Sequence, residues 1–310
     1  MEFMKKALLF ALVALIILLT ACSPNGNNSQ VNKTVSDSTD LKPEFTIETY
    51  PKVDGSTATI PLSEAIAQNL FSMTNQEATS FVKHNKTHSA YVNLVEGKAD
   101  IIFVTEPSAD ELQIAKDANV ELEVVPVVRE GFVFVVNASN PVDSLTVKQV
   151  QDIYQGKIKN WKEVGGNDIE IIPYQRNANS GSQTLMEQLV MRDLEMMDAP
   201  GYTIISGMDG LIDVVSNYDN SEGALGYSVY YYANIMYNND SLKLLAIDGV
   251  IPNNSDISSL KYPFTSAYYA VIKKSDAKDA VSRQLLNWVL SEEGQKLAEQ
   301  AGYVPVLVRY

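Results

Sequence analysis

The chain of 310 residues holds one cysteine, two histidines and two tryptophans. A lone cysteine, Cys22, cannot form an internal disulfide and needs another explanation. The histidines stand at 84 and 88; on a helix that spacing would share one face and could hold zinc. No third ligand lies nearby in sequence, and Lys83 and Lys86 would repel a cation, so no metal and no cofactor is expected. Basic residues are few: 24 Lys and Arg face 38 Asp and Glu, for a net charge of −14. That balance argues against nucleic acid, whose phosphate backbone demands clustered Lys and Arg. It does not argue against a small anion, because a buried site is governed by nearby donors while distant surface charge is screened. Nucleophile machinery is thin as well. Asn179-Ser180-Gly181 lacks the Gly-x-Ser-x-Gly elbow, and the two histidines lie together, so a secreted serine hydrolase has little to build on.

Long apolar runs are scarce too. The one that stands out, Ala7 to Leu19, follows Lys5 and Lys6 and falls short of the ~20 residues of a comfortable membrane span. A basic start, a short apolar core and small residues before Cys22 describe a secretory signal over residues 1–21. Leu19-Thr20-Ala21-Cys22 resembles the lipobox of bacterial lipoproteins, which implies a diacylated Cys22 as mature N-terminus and a protein held on the extracytoplasmic face of the cell membrane. Two acyl chains suffice for stable anchoring. Residues 22–43 are rich in Ser, Asn, Thr and Asp and read as a flexible tether.

From Phe45 onward, short β-branched runs alternate with helical periodicity, which predicts an α/β architecture with mixed sheets. Phe45–Tyr50, Asp100–Val104, Leu122–Val128, Phe132–Val136, Ile169–Tyr174, Ala224–Tyr227, Leu242–Ile247 and Phe264–Ile272 read as strands. Helices are expected after Pro61, over Leu145–Tyr154, Ser180–Met191 and Gly207–Val215, and as one long element over Ala277–Glu299. The dense tyrosines Tyr227, Tyr230, Tyr231 and Tyr232 read as core packing and hinge support.

Two loops share a design. Asp54-Gly55-Ser56-Thr57 precedes the helix at Pro61, and Arg176 to Gln183 precedes the helix running to Met191. Each sets glycine and hydroxyls before a helix start, where free N–H groups and the helix dipole favour an anion. Ordinary capping is the plainer reading: Ser180-x-x-Gln183 and Thr184-x-x-Glu187 both fit capping boxes. Arg176 tips the balance, since its planar fork of donors matches a tetrahedral oxyanion.

Ile153 to Gly166, with Gly156-Lys157-Ile158, Asn160-Trp161 and Val164-Gly165-Gly166, resembles a signature of the phosphate-binding proteins of phosphate import transporters. Arg176 to Ser182 is similar to that family's Arg-x-x-x-Ser-Gly-Thr loop, Gly55-Ser56-Thr57 to its N-terminal phosphate loop, Gly97 to Ile102 to its Gly-x-x-Asp-Ile segment, and Gly302 to Pro305 to its closing motif. The resemblance implies a two-lobed periplasmic-binding-protein fold (type II) with a two-segment hinge. Residues 44–130 plus 245–310 would form the first lobe and 131–244 the second, with the ligand in the cleft between. It implies a monomer that hands inorganic phosphate to an ABC permease. Ligand donors would be Gly55, Ser56, Thr57, Thr87 and Thr105 from the first lobe, and Arg176, Ser180, Gly181 and Ser182 from the second.

One departure bears on the ligand. Family members carry Asp two residues after the arginine, where this chain has Ala178. A carboxylate there accepts a proton from phosphate; sulfate has none to give at neutral pH. Glu106, in Val104-Thr105-Glu106-Pro107, falls at another family position for an acidic acceptor and would take over that role, its alternative being a solvated loop carboxylate. Molybdate, tungstate or sulfate capture, or a surface sensor or adhesin on the same fold, are the alternatives in function.

Overall fold

A computed structural model describes residues 43–217 and 222–306; Cys22, the signal segment 1–21 and nearly all of the tether 22–43 lie outside the described residues. The first half begins with β1 (Val53–Gly55), a 3₁₀ turn (Thr57–Thr59) and α1 (Ile60–Phe71), whose first turn accommodates Pro61 because the N–H it lacks would be unpaired there anyway. Then come α2 (Asn75–Phe81), α3 (Thr87–Val95), β2 (Ile101–Val104) and α4 (Ala109–Asp117). Phe45–Tyr50 is not a strand: Thr46 and Thr49 bond to each other through backbone and hydroxyl and close a turn instead, so pairing starts only at Val53.

β3 (Leu122–Asn137) organises the molecule. Its two apolar runs form one strand of 16 residues, unbroken at Arg129-Glu130-Gly131. β4 (Ser144–Leu145), α5 (Val147–Tyr154), β5 (Ile172–Pro173) and β6 (Gln175–Arg176) follow. Next are α6 (Gly181–Leu185), which runs on as a π-helical stretch to Met191, β7 (Ile204–Ile205) and α7 (Met208–Asn217). The chain returns through β8 (Ala224–Val229), β9 (Leu242–Leu244), β10 (Ala246–Ile247), α8 (Asn254–Ser258) and β11 (Thr265–Lys273). It closes with α9 (Val281–Leu290), α10 (Glu292–Gln300) and β12 (Val304–Pro305). The single helix expected over Ala277–Glu299 is two helices. Ser291 is extended (φ −68°, ψ 167°), and its hydroxyl caps the second helix by accepting from the Gly294 N–H at 3.2 Å.

The large sheet has the order β1-β2-β11-β3-β8-β5, with β12 and β9 also on β3. β1 and β2 are parallel, β11 runs antiparallel to β2 and β3, and β8 is antiparallel to β3. Along β3, Leu122–Gly131 pair with β11, and Phe132–Val135 pair with β8. The strand thus leaves one half of the sheet and enters the other at Gly131/Phe132. This is the mixed α/β, two-lobed architecture. Phe132, Phe134, Tyr154, Tyr227 and Phe264 are fully buried and touch ring to ring across β3 and β8. The Asn160-Trp161 signature is structural: Trp161 is buried and donates its indole N–H to the Gly223 carbonyl at 3.1 Å.

Candidate functional site

Helix starts converge on one cavity of about 560 Å³. Ser56 and Thr57 come from the turn after β1, Thr87 and His88 from the start of α3, Gly181 and Ser182 from the start of α6, and Gly207 and Met208 from the start of α7. Strand ends deliver these turns: β1 and β2 point at the cleft from one side, β6 and β7 from the other. Unpaired N–H groups and positive helix ends therefore face a shared space.

Arg176 is the centre of the site. It is 7% exposed. Its Nε donates to the Ile205 carbonyl at 2.9 Å, Nη2 to the Ser206 carbonyl at 3.3 Å and Nη1 to the Ser182 hydroxyl oxygen at 3.0 Å. Ser182 thus keeps its own O–H proton to donate elsewhere. The Arg176 backbone N–H donates to the Tyr227 hydroxyl oxygen at 2.9 Å, and Tyr227 donates in turn to Gln183. Burial pulls the Arg176 pKa down, opposed by Tyr227 and Asp209. Among the described residues no carboxylate forms an ion pair with this guanidinium. A buried, unpaired cation is costly, and an anion in the cleft would remove that cost.

The opposite wall holds a second unsatisfied group. The Thr105 hydroxyl is buried with no hydrogen-bond partner among the described residues. Thr105 and Thr87 face Gly181 so closely that a Cβ there would lie 2.7 Å from the one hydroxyl oxygen and 2.8 Å from the other. Gly181 is required by this close approach rather than by its backbone angles.

The N-terminal loop is braced from behind. Asp54 is buried and accepts from the N–H groups of Gly55 and Asn85, both at 2.7 Å, and from the Asn85 and Asn93 side chains at 2.9 and 2.7 Å. The Ser56 N–H is spent on the Phe103 carbonyl at 2.9 Å, and Ser56, whose hydroxyl lies 3.3 Å from the Thr59 hydroxyl, lines the cavity. His84 lies in the coil before α3, mostly buried, not on a shared helix face with His88 and not at the surface. Its Nδ1 lies 2.9 Å from the Ser56 carbonyl, so Nδ1 carries the proton and Nε2, 3.1 Å from the Ser63 hydroxyl, accepts. Burial pulls the His84 pKa down, which keeps the ring neutral and suited to this bridging. His88 lines the cleft, with Nδ1 3.2 Å from buried Glu111, whose own pKa burial raises.

Of the residues proposed from sequence, Ser56, Thr57, Thr87, Thr105, Arg176, Ser180, Gly181 and Ser182 line the cavity together. Gly55 does not. It is a packing position, where a Cβ would stand 2.5 Å from the Phe103 carbonyl oxygen. Glu106 is also absent from the lining, and its carboxylate accepts from the Tyr269 hydroxyl at 2.8 Å. Ser180 accepts from the Gln183 N–H, but the Gln183 side chain turns to Glu187, so the box is half made. Thr184 caps nothing, being inside α6. Sequence reading missed Lys86, Ser206, Asp209, Tyr232 and Tyr268 in the lining. Asp209 had a signal, an acidic residue in the first turn of a helix that follows a Ser-Gly.

The profile of the PBP superfamily domain matches residues 43–293. The phosphate-binding protein PstS of Bacillus subtilis (strain 168) is 28% identical over 307 residues, 97% of this chain and 94% of that protein. PstS of Staphylococcus epidermidis RP62A is 28% identical, over 93% of this chain and 85% of its own. Among solved structures, a putative phosphate ABC transporter substrate-binding protein with bound phosphate from Clostridium perfringens superposes with a TM-score of 0.65 at 25% identity. The alignment covers 83% of this chain and 100% of that one. An ABC-type phosphate transport receptor from Vibrio cholerae, 24% identical over 82% and 99% of the two chains, shares the fold with a TM-score of 0.60.

Proposed function

This chain belongs to the PBP superfamily and is PstS-like, and from that premise we propose that it captures inorganic phosphate and delivers it to an ABC permease. The observation that carries the proposal is the buried guanidinium of Arg176. Among the described residues it has no carboxylate partner, and it shares one cavity with the Thr105 hydroxyl, which has no hydrogen-bond partner among them either. The donors are the hydroxyls of Ser56, Thr57, Thr87, Thr105, Ser180 and Ser182, the free N–H groups at the helix starts, and Arg176.

The mechanism is capture without turnover. Residues 44–130 with 245–310 supply one set of donors and 131–244 the other. Only the closed arrangement brings both sets onto one anion, so the ligand selects it. The protein is read as a monomer on the extracytoplasmic face of the membrane, tethered through diacylated Cys22 and the segment 22–43. Among the described residues no helix is long and apolar enough to cross a membrane. Native mass spectrometry of protein purified without added anion tests the ligand assignment. A bound mass of one phosphate, absent from Arg176→Ala, is expected; a different oxyanion in the wild type would overturn it.

A further inference from the structure

Glu130 stands where β3 changes partners. Residues up to Gly131 pair with β11 and those from Phe132 pair with β8, so a swing of one half of the sheet against the other would bend the strand here. The side chain is buried. One carboxyl oxygen accepts from the Gly131 N–H at 2.9 Å, on its own strand, and from the Tyr231 N–H at 3.1 Å, just past the end of β8. The other is buried with no hydrogen-bond partner among the described residues. A half-satisfied carboxyl away from water is costly, and most costly when ionised.

Tyrosines, not cations, surround it. Its charge acts on Tyr230 and Tyr231 after β8, on Tyr268 of β11 and on Tyr303 before β12. Among the described residues no cation forms an ion pair with it. Arg129 is its neighbour on β3, but strand alternation sends that side chain to the other face. From α8, which meets Gly131 through Ile257, Asp256 pairs with Lys261 at 3.3 Å. Glu64 of α1 acts on Tyr231. Burial therefore prevails and pushes the Glu130 pKa up to about 8.

The same tyrosines reach the cleft. Tyr303 stacks on Tyr231, with ring centroids 3.8 Å apart and planes 6° from parallel, and its hydroxyl donates to the Ala58 carbonyl at 2.7 Å. Ala58 lies in the turn that brings Thr57 to the cavity, and Tyr268 lines that cavity itself. Bonds from Asn179 to Asp110 and from Gln188 to the Pro107 carbonyl span the cleft, so this arrangement is the closed one.

We infer that Glu130 is a proton-linked hinge: its carboxyl holds a proton while the cleft is closed and gives it up more readily as the cleft opens, so that capture of the anion takes up a proton. Opening bends the crossing, draws Tyr231 off Tyr303 and lets water reach the unpartnered oxygen, which favours the ionised form. A proton held more tightly in the closed form stabilises that form at low pH, and the advantage is lost as pH rises through about 8. The inference rests on the oxyanion-capture reading of the cleft.

The test is calorimetric titration of phosphate into the anion-stripped full chain from pH 6 to 9.5, wild type beside Glu130→Gln. The glutamine keeps an acceptor oxygen and never ionises. Each pH is run in two buffers of different ionisation enthalpy, so that net proton uptake is read directly. Protonation of phosphate itself is common to both proteins and cancels in the comparison. Wild-type affinity should fall roughly tenfold more than that of the variant across the range, the worth of one pKa unit between open and closed forms. Near pH 7.5 the wild type should take up about half a proton more per phosphate than the variant. Coincident pH profiles with equal proton uptake overturn the inference and leave capture standing. A wild type that binds no phosphate overturns the capture reading and the inference with it. If Glu130→Gln does not fold, infrared difference spectra of the wild type decide: phosphate added near pH 7.5 should raise a protonated-carboxyl band, and a flat difference in that region overturns the inference.

Discussion

Gly181 and Thr105 touch across the cleft: a Cβ on the glycine would lie 2.7 Å from the threonine hydroxyl oxygen. The contact joins the start of α6 to the end of β2, two elements that the proposed closure onto a ligand would bring together. Gly181→Ala should therefore act on closure. Overpacking of about 1–3 kcal/mol, taken from the closed state alone, is roughly a 5- to 150-fold loss of phosphate affinity. Calorimetry should read that loss while the thermal midpoint of the ligand-free protein stays near wild type; wild-type affinity would refute it.

Two hydrogen bonds span the same gap. Asn179, at φ +62°, donates from its side chain to Asp110 at 2.9 Å, and Gln188 donates to the Pro107 carbonyl at 3.2 Å. Asn179→Ala and Asp110→Ala should each speed phosphate release by a few-fold, because an exposed polar pair contributes about 0.2–1 kcal/mol. The double variant should release no faster than the singles, the non-additivity of residues that act as a pair. Additive effects in stopped-flow release would show that the two act independently.

Glu130 sits where β3 passes between the two halves of the sheet, and it is 2% exposed. One carboxyl oxygen accepts from the N–H groups of Gly131 and Tyr231, at 2.9 and 3.1 Å; the other is buried without a partner. Burial pushes its pKa up to about 8, against the pull of those N–H groups. A folded-state pKa above the unfolded value means that the folded protein holds the proton more tightly. This stabilisation is full below the ordinary carboxylate range near 4.5 and is lost as pH rises toward about 8. Urea unfolding from pH 5.5 to 9 should show wild-type stability falling with pH and Glu130→Gln falling less. The variant should be the more stable at pH 9. Parallel curves for the two would contradict the assignment.

Much of the cavity lining was legible in sequence because it is local: Ser56-Thr57 and Arg176 to Ser182 each sit next to their own helix start. Placement in space was not. Nothing along the chain says that the Glu106 carboxylate bonds to Tyr269, 163 residues away, rather than facing the cleft. Asp209 enters the site through the parallel pairing of β6 with β7, a long-range register that no local pattern encodes. The same limit explains the fold errors. Ala277–Glu299 keeps helical periodicity through Ser291, and only the cap it makes to Gly294 reveals the break. Phe45–Tyr50 alternates like a strand but has no partner edge, so local Thr46–Thr49 bonds prevail.

Arg176 carries the central claim, because its guanidinium is the one buried cation of the cleft and lacks a carboxylate partner among the described residues. The most direct measurement is titration of phosphate into the anion-stripped protein, wild type beside Arg176→Ala, followed by calorimetry. The account predicts saturable binding of one phosphate per chain in the wild type. It predicts no measurable binding in the variant, with the folded structure retained by circular dichroism. Equal phosphate binding by Arg176→Ala would contradict it.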